Sequence, residues 1–307
     1  MNCNSQNLKH NCGANASYAL ITPACNEAEH LPRLIAAIQA QTQPPQRWII
    51  VNDGSTDTTA AIAQAAAAAS TFIDVVHRPP GNRDFAAKVA AINAGIQALS
   101  LPQYAFIGIA DADIEPAPSY YEAVLAEFAQ NPHLGIAGGM IVEFDGWQWR
   151  QRHGNSVHSV AGAIQLFRRQ CYTAIGGLPA LPFGGEDTVA EVMAREHQWQ
   201  VKALPELVVR HHRQSGFADG DSYAIRSREG RMDYGIGYLP LYELLSCTRR
   251  LPQPPRLLGS CYRFFGYCAA AWQRQPYQVS AEVIQAVRRQ QRRRLRCVFS
   301  AIMPTKS

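Results

Sequence analysis

A chain of 307 residues that is 47% hydrophobic and 17% charged can bury one large core, which excludes a disordered or fibrous protein. Its small net charge of +5 hides an asymmetry: residues 1–225 carry 14 Lys and Arg against 20 Asp and Glu, net −6, whereas residues 226–307 carry 15 against 4, net +11. The eight cysteines are scattered without a CxxC pair, which excludes a disulfide scaffold and a zinc module and reads as a reduced, cytosolic protein.

Residues 1–16 are polar and Asn-rich and are expected to be disordered; Cys3, His10 and Cys12 are metal-ligand types, but in such a stretch they read as part of a loose terminus. The N-terminus lacks the apolar core of a signal peptide. Strand and helix signals then alternate. Tyr18–Pro23 is a short apolar run that reads as a buried strand, followed by Leu31, Leu34, Ile35 and Ile38 at helical spacing. Trp48–Val51 is a second strand, stopped by Asn52, Asp53 and Gly54. An Ala-rich helix is predicted over Thr58–Ala69, with Asp57 as its N-cap. Ile73–His77 is a third strand, Ala86–Leu99 a helix, and Tyr104–Ala110 a fourth strand running into Asp111-Ala112-Asp113. A helix from about Ser119 and a strand over Leu134–Val142 follow.

This alternation predicts an α/β fold with a mostly parallel, doubly wound sheet flanked by helices. Ligands of such sheets bind beyond the carboxyl ends of the strands. Polar clusters fall at three of those ends: Thr22–Glu27, Asn52–Asp57 and Asp111–Asp113. From about Arg226 the pattern becomes a basic helical extension, 226–307, behind a main domain of 17–225. Its helices are predicted over Pro240–Arg250, from Leu257 to Trp272, and over about Ser280–Phe299. Leu257, Cys261, Phe264, Cys268, Ala271 and Trp272 share a face of the second; Val283, Ile284, Val287, Leu295 and Val298 share a side of the third, beside six arginines. No run reaches the ~18 apolar residues of a membrane span, and Leu257–Trp272 is interrupted by Arg263.

Each cluster has a plain reading and a chemical one. Alternate residues of an extended segment point the same way, so Asp111 and Asp113 can meet a cation and a nucleotide together, or merely cap a loop. Asp53 after a buried strand can accept a nucleobase N–H, although Asp53-Gly54 and Asp57 also suit a turn and a helix cap. In Phe183-Gly184-Gly185-Glu186-Asp187, two acids open a helix after glycines; there they are favoured by the helix N-terminus, and Asp187 can also deprotonate a hydroxyl. Trp147 and Trp149 suit either a sugar-stacking surface or the core.

Taken together, Pro23-Ala-Cys-Asn26-Glu27, Val51–Asp57, Lys88 with Asn93 and Gly95, Asp111-Ala-Asp113, and Gly185-Glu186-Asp187 resemble the family 2 glycosyltransferases, which have the GT-A fold. The resemblance runs from Tyr18 to His212. It implies that Thr22, Pro23, Asn26, Glu27, Asp53, Lys88, Asp111 and Ala112 contact a nucleotide-diphosphate sugar, with Asp53 reading the base. It implies that Asp113, with Asp111 and His211, holds Mn²⁺ or Mg²⁺. Asp187, with Glu186 beside it, is implied as the catalytic base of an inverting transfer, and Trp147 and Trp149 are placed towards the acceptor. Val189 departs from the acid many relatives have there. The nearest match to the processive QxxRW motif, Arg228–Met232, lacks Gln and Trp, so a non-processive enzyme is implied.

The expected partners are the donor, a carbohydrate or lipid-linked acceptor and an anionic membrane surface met by the basic tail; no nucleic acid is expected. The expected location is cytoplasmic, peripheral at the inner face of a membrane. Two rivals remain at this level: a nucleotidyltransferase, disfavoured because Thr22–Glu27 has no glycine for a phosphate loop, and a non-catalytic module bound to membrane or nucleotide.

Overall fold

The computed structural model describes residues 17–81, 84–152, 155–213, 222–253 and 255–302. Residues 1–16, with Cys3, His10, Cys12 and the disorder expected there, lie outside the described residues.

In chain order the strands are β1 (Tyr18–Ala24), β2 (Arg47–Asp53), β3 (Ile73–Arg78), β4 (Phe106–Ala110), β5 (Ile114–Pro116), β6 (Leu134–Phe144), β7 (Trp149–Gln151), β8 (Ile164–Arg168) and β9 (Gln200–His211). The helices are α1 (Leu31–Gln39), α2 (Thr59–Ala68), α3 (Phe85–Ala98), α4 (Tyr120–Gln130), α5 (Arg169–Ala174), α6 (Glu186–Glu196), α7 (Ser222–Gly235), α8 (Pro240–Arg249), α9 (Arg256–Trp272) and α10 (Ala281–Ile302). One sheet runs β3-β2-β1-β4-β8-β6-β9-β5, with β7 paired to β6. It is parallel along β3-β2-β1-β4 and again between β6 and β9, whereas β8, β7 and β5 run antiparallel to their neighbours.

The apolar runs become central strands because helices cover both faces. Alternation decides which face each residue serves. Trp48 and Ile50 pack with Leu31, Leu34, Ile38, Tyr121 and Phe128 under α1, α2 and α4. Ile49 and Val51 pack with Val89, Ile92, Ile107 and Phe167 under α3 and α5. Each fully buried large side chain contributes roughly 1.5–3 kcal/mol of transfer free energy, so these two layers carry most of the stability.

Orientation fixes where the polar loops gather. β8 is antiparallel to both β4 and β6, so β6 points the same way as β4, and β9 follows β6. The carboxyl ends of β1, β2, β4, β6 and β9 therefore share one edge of the sheet. The loops after β1 and β2 are tied together there. The Asn26 N–H donates to Ser55 Oγ (3.1 Å), and Asn26 Oδ1 accepts from the Thr56 N–H (2.8 Å). The Glu27 N–H donates to Thr59 Oγ1 (2.7 Å). Asp57 is not the geometric N-cap of α2, which is Thr58; its carboxylate instead bridges the Thr59 and Ala28 N–H groups, so the cap expected from sequence is a cross-loop tie.

The helical extension follows the predicted spans closely, although α7 begins at Ser222 and so straddles position 225. Ile284, Val287 and Leu295 of α10, which share a side as predicted, are buried, with Val287 and Ala286 packed on Val192 of α6; the Val298 side chain lies outside those described. α9 is oriented differently from α10. It buries Gly259, Ser260, Arg263, Gly266, Tyr267 and Ala270 and turns its apolar face to solvent. The reason is Arg263, which meets Glu229 (2.5 Å) and Asp233 of α7 and Glu243 of α8 (3.3 Å). A buried guanidinium bound by three carboxylates cannot be exchanged for the apolar face without leaving those charges uncompensated.

Candidate active site

The shared edge opens into a cleft of about 330 Å³ lined by Pro23, Ala24, Cys25, Glu27, Asp53, Asp84, Ala87, Lys88, Asp111, Ala112, Asp113 and Arg213. That volume falls in the usual range for small-molecule sites. Seven of these twelve positions are among those singled out in the sequence; Ala24, Cys25, Asp84, Ala87 and Arg213 are not.

Three of its acids are each matched to a cation. Lys88, from α3, places Nζ 2.7 Å from the Asp111 carboxylate. Burial opposes the charge on Lys88, but Asp111, with Glu186 and Asp187 behind it, outweighs that and holds the ammonium above its usual range. His211, the last residue of β9, places Nε2 3.3 Å from Asp113 and Nδ1 3.3 Å from Glu143. Burial disfavours its charge, yet hydrogen bonds to the two carboxylates lift its pKa to about 9. Burial likewise raises Asp113, and His211 and Arg213 overcome it, holding that carboxyl below its usual value. Arg213 meets Glu27 at 2.6 Å and Asp113 at 3.7 Å. Burial, with the Asp113 charge, pushes Glu27 up to about 7 against the pull of Arg213.

At the β2 end, Asp53 accepts from Arg78 Nη1 at 2.5 Å. Asp53 and Arg78 are partners in the β2–β3 register, so the arginine is supplied by the neighbouring strand. Thr22 and Asn26 do not line the cleft. Thr22 is fully buried and its Oγ1 accepts from the Trp48 indole (3.0 Å), while Asn26 is committed to Thr56 in the left-handed backbone region that Asn tolerates. Both shape the loop that presents Pro23 and Glu27.

Glu186 and Asp187 open α6. The turn before them needs Gly184 (φ 88°) and Gly185 (φ 96°), values that a side chain rarely adopts. Asp187 Oδ1 accepts the Thr188 N–H at 2.6 Å. Glu186 is raised by burial and by the Asp187 charge, with Lys88 opposing. Lys88 thus electrostatically links the Asp111 side of the cleft to the acids of α6.

Trp147 and Trp149 belong to the β6–β7 hairpin and are not core residues: Trp147 is 92% exposed at the turn. Trp149 lies 5.4 Å, ring to ring, from His212, with the Arg210 guanidinium 5.5 Å from its face. The hairpin therefore stands beside the β9 end that carries His211.

Among the described residues no three His, Cys, Asp or Glu side chains converge into a ready cage for a metal ion. The donor set nevertheless suits a small divalent ion that takes one or two protein ligands and completes its shell with phosphate oxygens. Asp113 and His211 are adjacent, and the acids around them are balanced here by Lys88, His211 and Arg213, the positive charge that such an ion would supply.

Arg213, Arg78 and Glu143 escaped sequence reasoning. Arg213 had one usable signal, its place two residues after His211 at a strand end. Arg78 and Glu143 are defined only by strand pairing.

The fold has counterparts among known proteins. The chain superposes on a mannosyltransferase, PcManGT from Pyrobaculum calidifontis, in complex with GDP-Man and Mn²⁺, with a TM-score of 0.57 at 16% identity over 96% of this chain and 82% of that one. It matches S. aureus TarS with a TM-score of 0.53 at 13% identity over 71% of this chain, spanning 40% of the TarS chain. It also matches glucosyl-3-phosphoglycerate synthase from Mycobacterium tuberculosis, in complex with Mn²⁺, UDP and phosphoglyceric acid, with a TM-score of 0.51 at 16% identity over 71% of this chain and 80% of that one. These likenesses establish the GT-A glycosyltransferase fold. The family described as Glycosyl transferase family 2 matches residues 19–180, more than half of the sequence, and the chain therefore belongs to that family.

Proposed function

We propose that this chain is an inverting, non-processive glycosyltransferase that moves a sugar from a nucleoside-diphosphate sugar, uridine being the preferred base, to a hydroxyl of a carbohydrate or lipid-linked acceptor at the inner face of a membrane. The observation that carries the reading is the cleft in which Asp111, Asp113 and Glu27 are each matched to Lys88, His211 or Arg213. Charges balanced in this way suit a site that exchanges internal ion pairs for a metal and a diphosphate.

Asp53, held by Arg78, is placed to accept a ring N–H of the base, and Pro23 and Glu27 wall the nucleotide. Asp113 and His211, with Asp111 on the donor side, would hold Mn²⁺ or Mg²⁺, which neutralises diphosphate charge. Asp187 takes the acceptor proton as the hydroxyl oxygen bonds to the anomeric carbon. The bond from that carbon to the diphosphate breaks, the nucleotide departs with the electron pair, and the configuration inverts. Lys88 and Arg213 stabilise the charge that develops on the leaving group. Trp147 and Trp149 offer exposed aromatic faces on which an acceptor sugar can stack.

The test is nucleotide release from UDP- and GDP-sugars with Mn²⁺ and a panel of hydroxyl acceptors. Native protein should release one nucleotide preferentially, and Asp187→Asn should lower turnover by at least ~10²-fold, the scale of a general base, with nucleotide affinity retained. Equal turnover in the variant would move the base to Glu186; no release from any donor would sink the reading.

A further inference from the structure

α9 is built inside out. Its inward face sets Gly259, Ser260, Gly266, Tyr267 and Ala270 around Arg263, which is only 5% exposed and bound by the carboxylates of α7 and α8. Its outward face carries Leu258, Cys261, Tyr262, Phe265, Cys268 and Trp272. Positions 258, 261, 265, 268 and 272 are spaced three and four apart, so they form one stripe along the helix. Phe265 is 65% exposed and Trp272 89%, and Leu241 and Leu244 of α8 are also turned outward. A helix that buries its charge and exposes its apolar stripe marks an interaction surface.

Charge selects the occupant. Exposed Arg249, Arg256 and Arg274 lie within or next to α8 and α9, and Arg292, Arg293 and Arg296 are exposed on α10. A second copy would bring an identical segment of net +11 against this one. An anionic bilayer instead offers opposite charge to the arginines, hydrocarbon to Leu258 and Phe265, and the headgroup boundary that Tyr262 and Trp272 favour. No described helix is long and apolar enough to cross a membrane.

We infer that α9, with the outward leucines of α8, lies in the interface plane of an anionic bilayer, and that α10 contributes arginines but not its apolar stripe, which is already packed on α6. This docking places the site near lipid. α7 packs on α9 along one side, and its Met232 lies against Gly184 and Gly185, the turn that delivers Asp187. The turn that delivers Asp187 is therefore joined to the docked helix through α7; that this serves a hydroxyl carried on a lipid rests on the glycosyl-transfer reading.

Co-sedimentation of the full chain with phosphatidylglycerol–phosphatidylcholine vesicles tests it, alongside the triple variant Leu258→Ser, Phe265→Ser, Trp272→Ser. All three side chains are exposed, so the variant should melt like the native protein. Native chain should pellet with anionic vesicles at low salt, release at high salt and ignore pure phosphatidylcholine, and the variant should bind at least ~10-fold more weakly, since three large apolar groups have left the interface. Native protein that stays in the supernatant, or a variant that pellets equally, would overturn the inference. So would a native dimer that dissolves on the same substitutions, because the stripe would then belong to a second copy. Nucleotide release without vesicles reports the site separately: lost docking with intact release removes the membrane face alone, and intact docking with no release removes the transfer reading alone.

Discussion

Asp113 shows how much of this site depends on one carboxylate. Its oxygens face His211 and Arg213, and its backbone carbonyl accepts the His212 N–H at 2.8 Å, which ties β9 to the loop after β4. Asp113→Asn leaves that backbone tie intact and removes only the charge. The variant should therefore fold as the native chain does, with unchanged circular dichroism, and lose metal-dependent nucleotide affinity by at least the ~10²-fold that outer-shell ligand changes can reach. Calorimetry with UDP, GDP and Mn²⁺ measures this, and undiminished metal-dependent binding would remove Asp113 from the site. The same residue marks a limit of sequence reading. Asp111-Ala-Asp113 was visible as a motif, but its ion partners come from positions 88, 211 and 213, at separations that no local pattern encodes.

Among the elements, the α7–α9 pair is the most demanding junction. A Cβ on Gly230 would lie 1.9 Å from the Arg263 carbonyl oxygen, and one on Gly266 would lie 2.0 Å from the Ser227 carbonyl oxygen. The helices touch backbone to backbone, and that closeness lets Arg263 reach the α7 carboxylates Glu229 and Asp233. Gly230→Ala should therefore force the helices apart and cost at least the roughly 1–3 kcal/mol of an overpacked core, because rigid backbone and not a flexible side chain must yield. A thermal melt decides it: an unchanged midpoint would mean that the two helices are not in contact. Periodicity alone showed only which residues of α9 share its apolar face. It left the orientation open, because a hydrophobic stripe says which residues share a face and not what the opposite face is bound to.

For the whole molecule, pH should act through buried carboxylates. Glu191 of α6 accepts the Val160 N–H at 2.6 Å and the Ser159 hydroxyl at 3.1 Å, so it anchors the segment before β8. Burial, only partly offset by Arg195, pushes its pKa from 4.5 up to about 7. The folded state thus holds this proton more tightly than the unfolded chain. Its contribution to stability is complete below about pH 4.5 and is lost as pH rises through 7, by up to ~3 kcal/mol. Burial raises Glu27 and Glu243 too, to about 7 and about 8, so they add to the decline over the same range and slightly beyond. Asp113 and Glu229, held low by neighbouring cations, act oppositely at acid pH, and the optimum should be mildly acidic. Urea unfolding of native protein and Glu191→Gln from pH 4.5 to 8 checks the Glu191 share: the variant should gain on the native chain as pH rises, and a constant difference would refute it. By itself the sequence determined the strand–helix alternation, the spans of the basic helices and the polar strand ends. Apolar runs with turn residues encode these locally, as at Trp48–Val51 before Asn52-Asp53-Gly54. Tertiary structure alone decided that β6 and β9 run with β4, which brings His211, Arg213 and Glu143 to the edge already holding Asp111 and Asp113. It also decided that Trp147 and Trp149 stand in solvent and that α9 faces outward. The physical reason is common to all three: strand direction, exposure and helix orientation depend on which distant surfaces and charges meet, and a chain expresses those contacts only once it has folded.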